Sequence, residues 1–145
     1  MPPATGNTFC LLNRRLVLKT ETPHLAILIC SATPDRPEIC VTPLIYAITA
    51  SALDCEVEIH FAGLAIRLLV EGVAAGLFPT AKKEKSILAF LQDASAAGVS
   101  LLACSMARAN WVEEHERLIP ECNGAAGATA FVVRTLDSEW KTLVF

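Results

Sequence analysis

The chain has 145 residues, and its 12 basic and 15 acidic side chains give a formal charge of −3. Hydrophobic residues make up 53 % and the mean hydropathy is +0.46, so a large apolar area must be buried within a sheet covered on both faces, between subunits, or both. The longest uncharged stretches, Ile39–Leu53 and Ala94–Ala107, fall short of the ~18 residues of a membrane span, and the only basic cluster, Lys82-Lys83 with Lys85, is interrupted by Glu84, which argues against a nucleic-acid surface.

Residues 1–14 are expected to form a flexible tail, loosest over the Pro/Gly/Thr-rich Met1–Asn7. Phe9-Cys10-Leu11-Leu12 is too short for a secretory h-region, and Arg14-Arg15 follows it where a leader would place the charge before it. The expectation is therefore a cytoplasmic protein with mostly reduced cysteines, folded as a single domain over residues 15–145.

Arg15–Thr20 alternates and reads as a short edge strand or an extended lead-in. His24–Ala32 is a continuous apolar run, as in a buried parallel strand. Thr33–Pro37 must be a loop, and a helix is expected from Glu38 or Thr42 to Leu53, with Pro43 in its first turn and Thr42 as a candidate N-cap. Glu56–Ala62 alternates, with Val57, Ile59 and Phe61 on one face and Glu56, Glu58 and His60 on the other, which reads as a strand nearer the sheet edge. Leu64–Leu77 has helical spacing with Arg67 and Glu71 at i, i+4, ended by Gly76 and Pro79. Ser86–Ala97 predicts a second amphipathic helix with Ile87, Leu88 and Leu91 inward, closed by Gly98.

Val99–Ala103 is a short apolar run ending on Cys104, with the next helix expected to begin there. Trp111–Leu118 reads as a polar helix, Pro120–Gly127 as a break, Ala128–Leu136 as a helix and Trp140–Phe145 as a final strand. The order β-α-β-α-α-β-α-α-β implies a flavodoxin-like, doubly wound parallel sheet of four to five strands with right-handed crossovers.

Ligands bind such sheets outside the carboxyl ends of the strands, and Cys104 is the thiol best placed there. The N–H groups of Ser105, Met106 and the residues on to Arg108, with the Arg108 charge, are candidates to stabilise its thiolate; the opposing reading is a buried small hydrophobe. Cys30 and Ser31 sit at another strand end, where Cys30 is either a second thiol or a core residue, and adjacency of the two strands would bring it beside Cys104. His60 lies near the same edge and is either a proton donor or a half-exposed edge histidine. Trp111 either walls a pocket, joins a subunit contact or packs in the core, His115 lies on a polar face and His24 begins a strand. Cys10, Cys40, Cys55 and Cys122 show no pairing signal; Cys122, in a Pro-Glu-Cys-Asn-Gly loop expected to be exposed, is the outside candidate for a second thiol. The absence of C-x-x-C and of coordinating His spacing argues against a metal, and no phosphate-binding glycine motif or G-x-S-x-G elbow is present.

The segments HLAILICSA, EVEIHFAGLAIRLL, VSLLACSMA and the terminal GATAFVVRTLDSEWKTLVF, in this order over Pro23–Phe145, resemble the DsrE/DsrF-like proteins of sulfur metabolism. The resemblance implies that Cys104 carries sulfane sulfur as a persulfide and relays it to or from a partner protein, without a cofactor, in a dimer, trimer or hexamer. It supplies no second signature residue. A non-catalytic oligomeric scaffold with inert cysteines, and a small-molecule or nucleotide pocket at the sheet edge, are the competing readings.

Overall fold

The computed structural model describes residues 21–145; the expected tail and the lead-in Arg15–Thr20 lie outside them. Five strands, β1 (His24–Ile29), β2 (Glu56–Phe61), β3 (Ser100–Ala103), β4 (Cys122–Ala125) and β5 (Trp140–Val144), form one parallel sheet in the order β4-β3-β2-β1-β5. Helices α1 (Val41–Ala52), α2 (Ile87–Ala96), α3 (Ser105–Trp111) and α4 (Ala128–Leu136) connect them.

The strand order decides where the helices lie. From β1 to β4 the chain advances one strand at a time in one direction, so right-handed crossovers put α1, α2 and α3 on one face. From β4 it returns past three strands to pair β5 with β1, which reverses the direction and puts α4 on the opposite face. On the first face Ile27, Ile29, Val57, Ile59, Phe61 and Leu101 join Leu44, Ile87 and Leu91 in a closed aliphatic core, each at most 2 % exposed. Ser86 caps α2 by accepting a hydrogen bond from the Ala89 N–H, and Gly98, at φ +86°, ends it in the left-handed conformation that glycine adopts without strain.

Several sequence expectations are corrected. Glu56–Phe61 is the central strand, since α4 covers the polar residues on its second face and so removes the amphipathic strand's need for an edge. Leu64–Leu77 is not one α-helix: it forms 3₁₀ segments at Gly63–Leu69 and Ala74–Gly76. Ala65, Ile66, Leu68 and Leu69 are all buried there, a nearly all-round burial that a two-sided α-helix would not allow. Arg67 pairs with Glu116 in place of Glu71, and also donates to the Trp111 carbonyl at 3.1 Å. Those bonds draw Trp111–Leu118 away from a helix. The Glu116 carboxylate accepts the Glu113 N–H at 2.9 Å, and Ile119 N–H donates to the Leu69 carbonyl at 2.8 Å. Helix α1 begins at Val41 with Cys40 at its N-cap, not Thr42, because a 3₁₀ turn over Pro37–Ile39 runs directly into it.

The expected break at Pro120–Gly127 contains β4. Cys122-Asn-Gly-Ala has none of the β-branched or aromatic residues that signal a strand. It pairs with β3 through a register shift, and the Asn123 side-chain oxygen accepts the Leu101 N–H at 2.7 Å at that irregularity.

Candidate functional site

Strand β3 leads into α3 on the first face, whereas its neighbour β4 leads into α4 on the second. Adjacent strands whose connections leave in opposite directions open a crevice at their carboxyl ends. Cys104 and Gly127 stand at the two lips of that crevice. Cys104 is the N-cap of α3, with its N–H donating to the Phe61 carbonyl at 3.0 Å and its carbonyl accepting from Arg108 N–H at 2.8 Å. Gly127 is the N-cap of α4, and Ala126 N–H ties the loop back to the Ala103 carbonyl at 2.9 Å.

Cys104 is part-buried and lines a half-open cavity of about 210 Å³ between the sheet and α4. Leu28 of β1, His60 of β2, Ala62 just beyond it, and Ala126, Gly127, Ala128, Phe131 and Val132 at the start of α4 complete its wall. His60 is 2 % exposed, a correction to the half-exposed edge position. Its Nε2 lies 2.9 Å from Glu58 Oε1 and its ring meets Phe131 edge-on at 5.3 Å. Arg134 of α4 donates through Nε to the same Glu58 oxygen at 2.9 Å and through Nη2 to the other at 3.5 Å. The Arg134 guanidinium in turn lies over the Trp140 ring at 4.1 Å, and Trp140 stacks on His24 at 4.8 Å.

Burial pushes the Glu58 carboxyl upward, but the hydrogen bonds from Arg134 and His60 outweigh it and hold the group below its ordinary 4.5. Glu58 is therefore a carboxylate at neutral pH. An acceptor at that position assigns the proton of a neutral His60 ring to Nε2 and leaves Nδ1 as its acceptor.

The remaining sequence candidates separate from this cluster. β2 lies between β1 and β3, so the strand of Cys30 does not adjoin that of Cys104. The register Ile29↔Phe61↔Ala103 puts both thiols at one height, two strand spacings or roughly 9.5 Å apart. That exceeds the reach of a disulfide without backbone movement. Cys30 is exposed, and its Sγ contacts the Phe145 carbonyl at 3.4 Å. Ser31 N–H donates to that same carbonyl at 3.1 Å. Ser105 opens α3 at the surface, Met106 is 72 % exposed, and Arg108 lines a separate groove beside Glu113, Glu114 and Glu116, not the Cys104 cavity. The charge expected next to the thiol is thus absent from its wall.

Cys40 is buried and its thiol is pushed up to about 11, by burial and then by the Glu38 charge; burial and Glu56 also raise Cys55. Cys122 contacts the Gly124 carbonyl at 3.5 Å, and all five described cysteines are free. No cluster of three or more His, Cys, Asp or Glu able to hold a metal occurs among the described residues, and none of their helices is long and apolar enough to cross a membrane.

The fold has solved counterparts. The crystal structure of the ychN protein from E. coli superposes with a TM-score of 0.66 at 15 % identity, over 86 % of this chain and all of that one. The protein of unknown function MTH1491 from Methanobacterium thermoautotrophicum superposes at 0.60 and 13 % identity, over 85 % of this chain and 99 % of its own. The likeness is one of fold, a five-stranded parallel α/β sheet, and is consistent with the DsrE-like resemblance. No family model and no curated protein matches the chain.

Glu58, Phe131 and Arg134 were not singled out by sequence reasoning. The available signal was Glu58 and His60 at i, i+2 on the polar face of a strand; what was missing was knowledge that α4 folds back over that face.

Proposed function

We propose that the protein is a sulfur carrier, with Cys104 holding sulfane sulfur as a persulfide and relaying it to or from a partner protein in a reducing, cytoplasmic setting. The observation that carries this reading is the position of Cys104: a free thiol at the crevice where, among the described strands, adjacent connections diverge, lining a cavity, while burial raises the thiols of Cys40 and Cys55. In the loading step the Cys104 thiolate attacks the sulfane sulfur of a donor persulfide. A bond forms between the Cys104 sulfur and that sulfur, the donor's S–S bond breaks, and the donor leaves as a thiolate. No electron acceptor is consumed.

Incubation with a sulfane donor is expected to add the mass of one sulfur atom to the protein, and Cys104→Ser to abolish the gain. Loading that persists in the variant overturns the assignment. On this reading Cys30, Ser31, Ser105, Met106 and Arg108, which lie outside the cavity, would meet a docked partner protein, and His60 is part of the cavity wall.

Self-association is part of the same proposal. Helix α4 has no fully buried residue, and Val132, Val133 and Leu136 of α4 with Val144 of β5 are exposed apolar residues on the α4 side of the sheet, as expected of a face shared between copies in a dimer, trimer or hexamer. Light scattering at micromolar concentration is expected to give a mass above that of one chain; a monomer overturns it. An oligomer whose Cys104 cannot be loaded would instead favour the scaffold reading.

A further inference from the structure

We infer that the Cys104 cavity is a binding site for a small, uncharged, apolar group, and, building on the persulfide reading above, that the sulfur donor is a low-molecular-weight hydropersulfide with an apolar substituent. Two observations lead there. The first is size. A cavity of about 210 Å³ is on the scale of an apolar cavity of ~150 Å³ that takes up benzene, and smaller than the ~300 Å³ and upward of a site for a drug-sized molecule.

The second is charge. Among the described residues no Lys, Arg, Asp or Glu side chain lines the cavity. Behind the cavity wall, Glu58 is engaged by both His60 and Arg134. An anionic or zwitterionic donor would bring a charge against this apolar wall, with no Lys, Arg, Asp or Glu of the lining to meet it. A benzyl- or alkyl-sized group would meet Leu28, Phe131, Val132 and the alanines.

The protonated donor R–S–S–H enters uncharged. The Cys104 thiolate attacks its terminal sulfur, giving Cys104–S–S–H, and R–S⁻ departs; atoms and charge balance without a further reactant. Among sulfane donors of the same chemistry, selectivity therefore follows the polarity of R.

The cavity is tested apart from its sulfur chemistry. Benzene titrated into the Cys104→Ser variant is expected to shift backbone amide resonances at Ala62, Gly127 and Ala128. Ala128→Trp, at an exposed position of the cavity wall outside the apolar face assigned to self-association, is expected to abolish the shifts at Ala62 and Gly127. Absence of shifts in Cys104→Ser, or their survival with Ala128→Trp, overturns the site. Donor class is tested by loading the unmodified protein with benzyl hydropersulfide and with cysteine hydropersulfide at equal concentration. At least tenfold faster loading by the benzyl compound is expected, with benzene as a competitor. Equal rates overturn the donor assignment. If neither donor loads Cys104 while benzene binds, the persulfide reading and its donor fall together and the apolar site stands.

Discussion

The two faces of the sheet are built from the same strands on opposite terms. On the face covered by α1, α2 and α3, successive strands contribute Ile27, Ile59, Phe61 and Leu101, all fully buried in one aliphatic cluster. On the face covered by α4 alone, the alternate positions are Ala26, Leu28, Glu58, His60 and Leu102, of which Ala26 and His60 are buried and the rest only partly covered. A parallel strand that packs helices on both faces usually loses alternation. Here β2 keeps it, because its second face is roofed by a single helix that brings Arg134 to meet Glu58. The stabilising face thus carries no chemistry, and the candidate site occupies the face with the thinner cover.

The contrast is broken most severely from the closed face. Phe61→Ala removes a fully buried ring from the centre of the sheet, where neighbouring strands leave little room to collapse, and is expected to cost about 3–5 kcal/mol. Urea unfolding measures it, and a loss below 1 kcal/mol would mean the closed face is not the stabilising one.

The cysteines sharpen the same contrast. A thiol pushed from the ordinary 9.0 to about 11 has roughly 100-fold less thiolate at neutral pH, and Cys40 is also sealed from reagent. In an iodoacetamide time course followed by peptide mapping, Cys30 and Cys104 are expected to be alkylated at least 100-fold faster than Cys40. Labelling of Cys40 as early as Cys104 would contradict the division between structural and accessible thiols.

How much of this was legible in the sequence follows from the range of the forces involved. HLAILI and SLLA declare themselves as strands because buried parallel strands need unbroken apolar runs, and Ser86 and Gly98 mark α2 through local capping chemistry. Position along the chain also brought Cys104 to a strand end. What could not be read is long-range. The pairing of Arg67 with Glu116 spans 49 residues and that of Arg134 with Glu58 spans 76, and each overrode a local pattern. The first displaced an expected i, i+4 pair and the Trp111–Leu118 helix; the second turned a strand suited to an edge into the middle of the sheet. β4 escaped because its ladder at Leu101 is completed by the Asn123 side chain, a substitution that no propensity encodes.

Glu58 tests the thinner face directly. It accepts charged hydrogen bonds from Arg134 and, across the strand face, from His60. Because Arg134 is itself about a third exposed, solvent screens part of the gain, and Glu58→Gln is expected to cost about 1–2 kcal/mol at neutral pH. The pH dependence has a definite sign. The folded carboxyl lies below 4.5, so its contribution is fully present above the unfolded value and is lost as pH falls through the folded one. The stability gap between the parent protein and Glu58→Gln, measured by urea titration, should therefore narrow below pH 4.5. A gap that stayed constant would show that the carboxylate's charge is not what holds α4 to β2.

The smallest effect isolates the two faces within a single peptide unit. Ile27 and Leu28 are neighbours on β1, yet Ile27 packs wholly into the aliphatic cluster and Leu28 lines the cavity. Truncating Ile27 creates a new void in a filled core, whereas truncating Leu28 enlarges a space that is already there and forfeits contacts on one side only. Leu28→Ala is accordingly expected to cost about 1 kcal/mol, against about 2–4 kcal/mol for Ile27→Ala. Equal costs would imply that the Leu28 side is as tightly filled as the Ile27 side, leaving no cavity for a ligand beside Cys104.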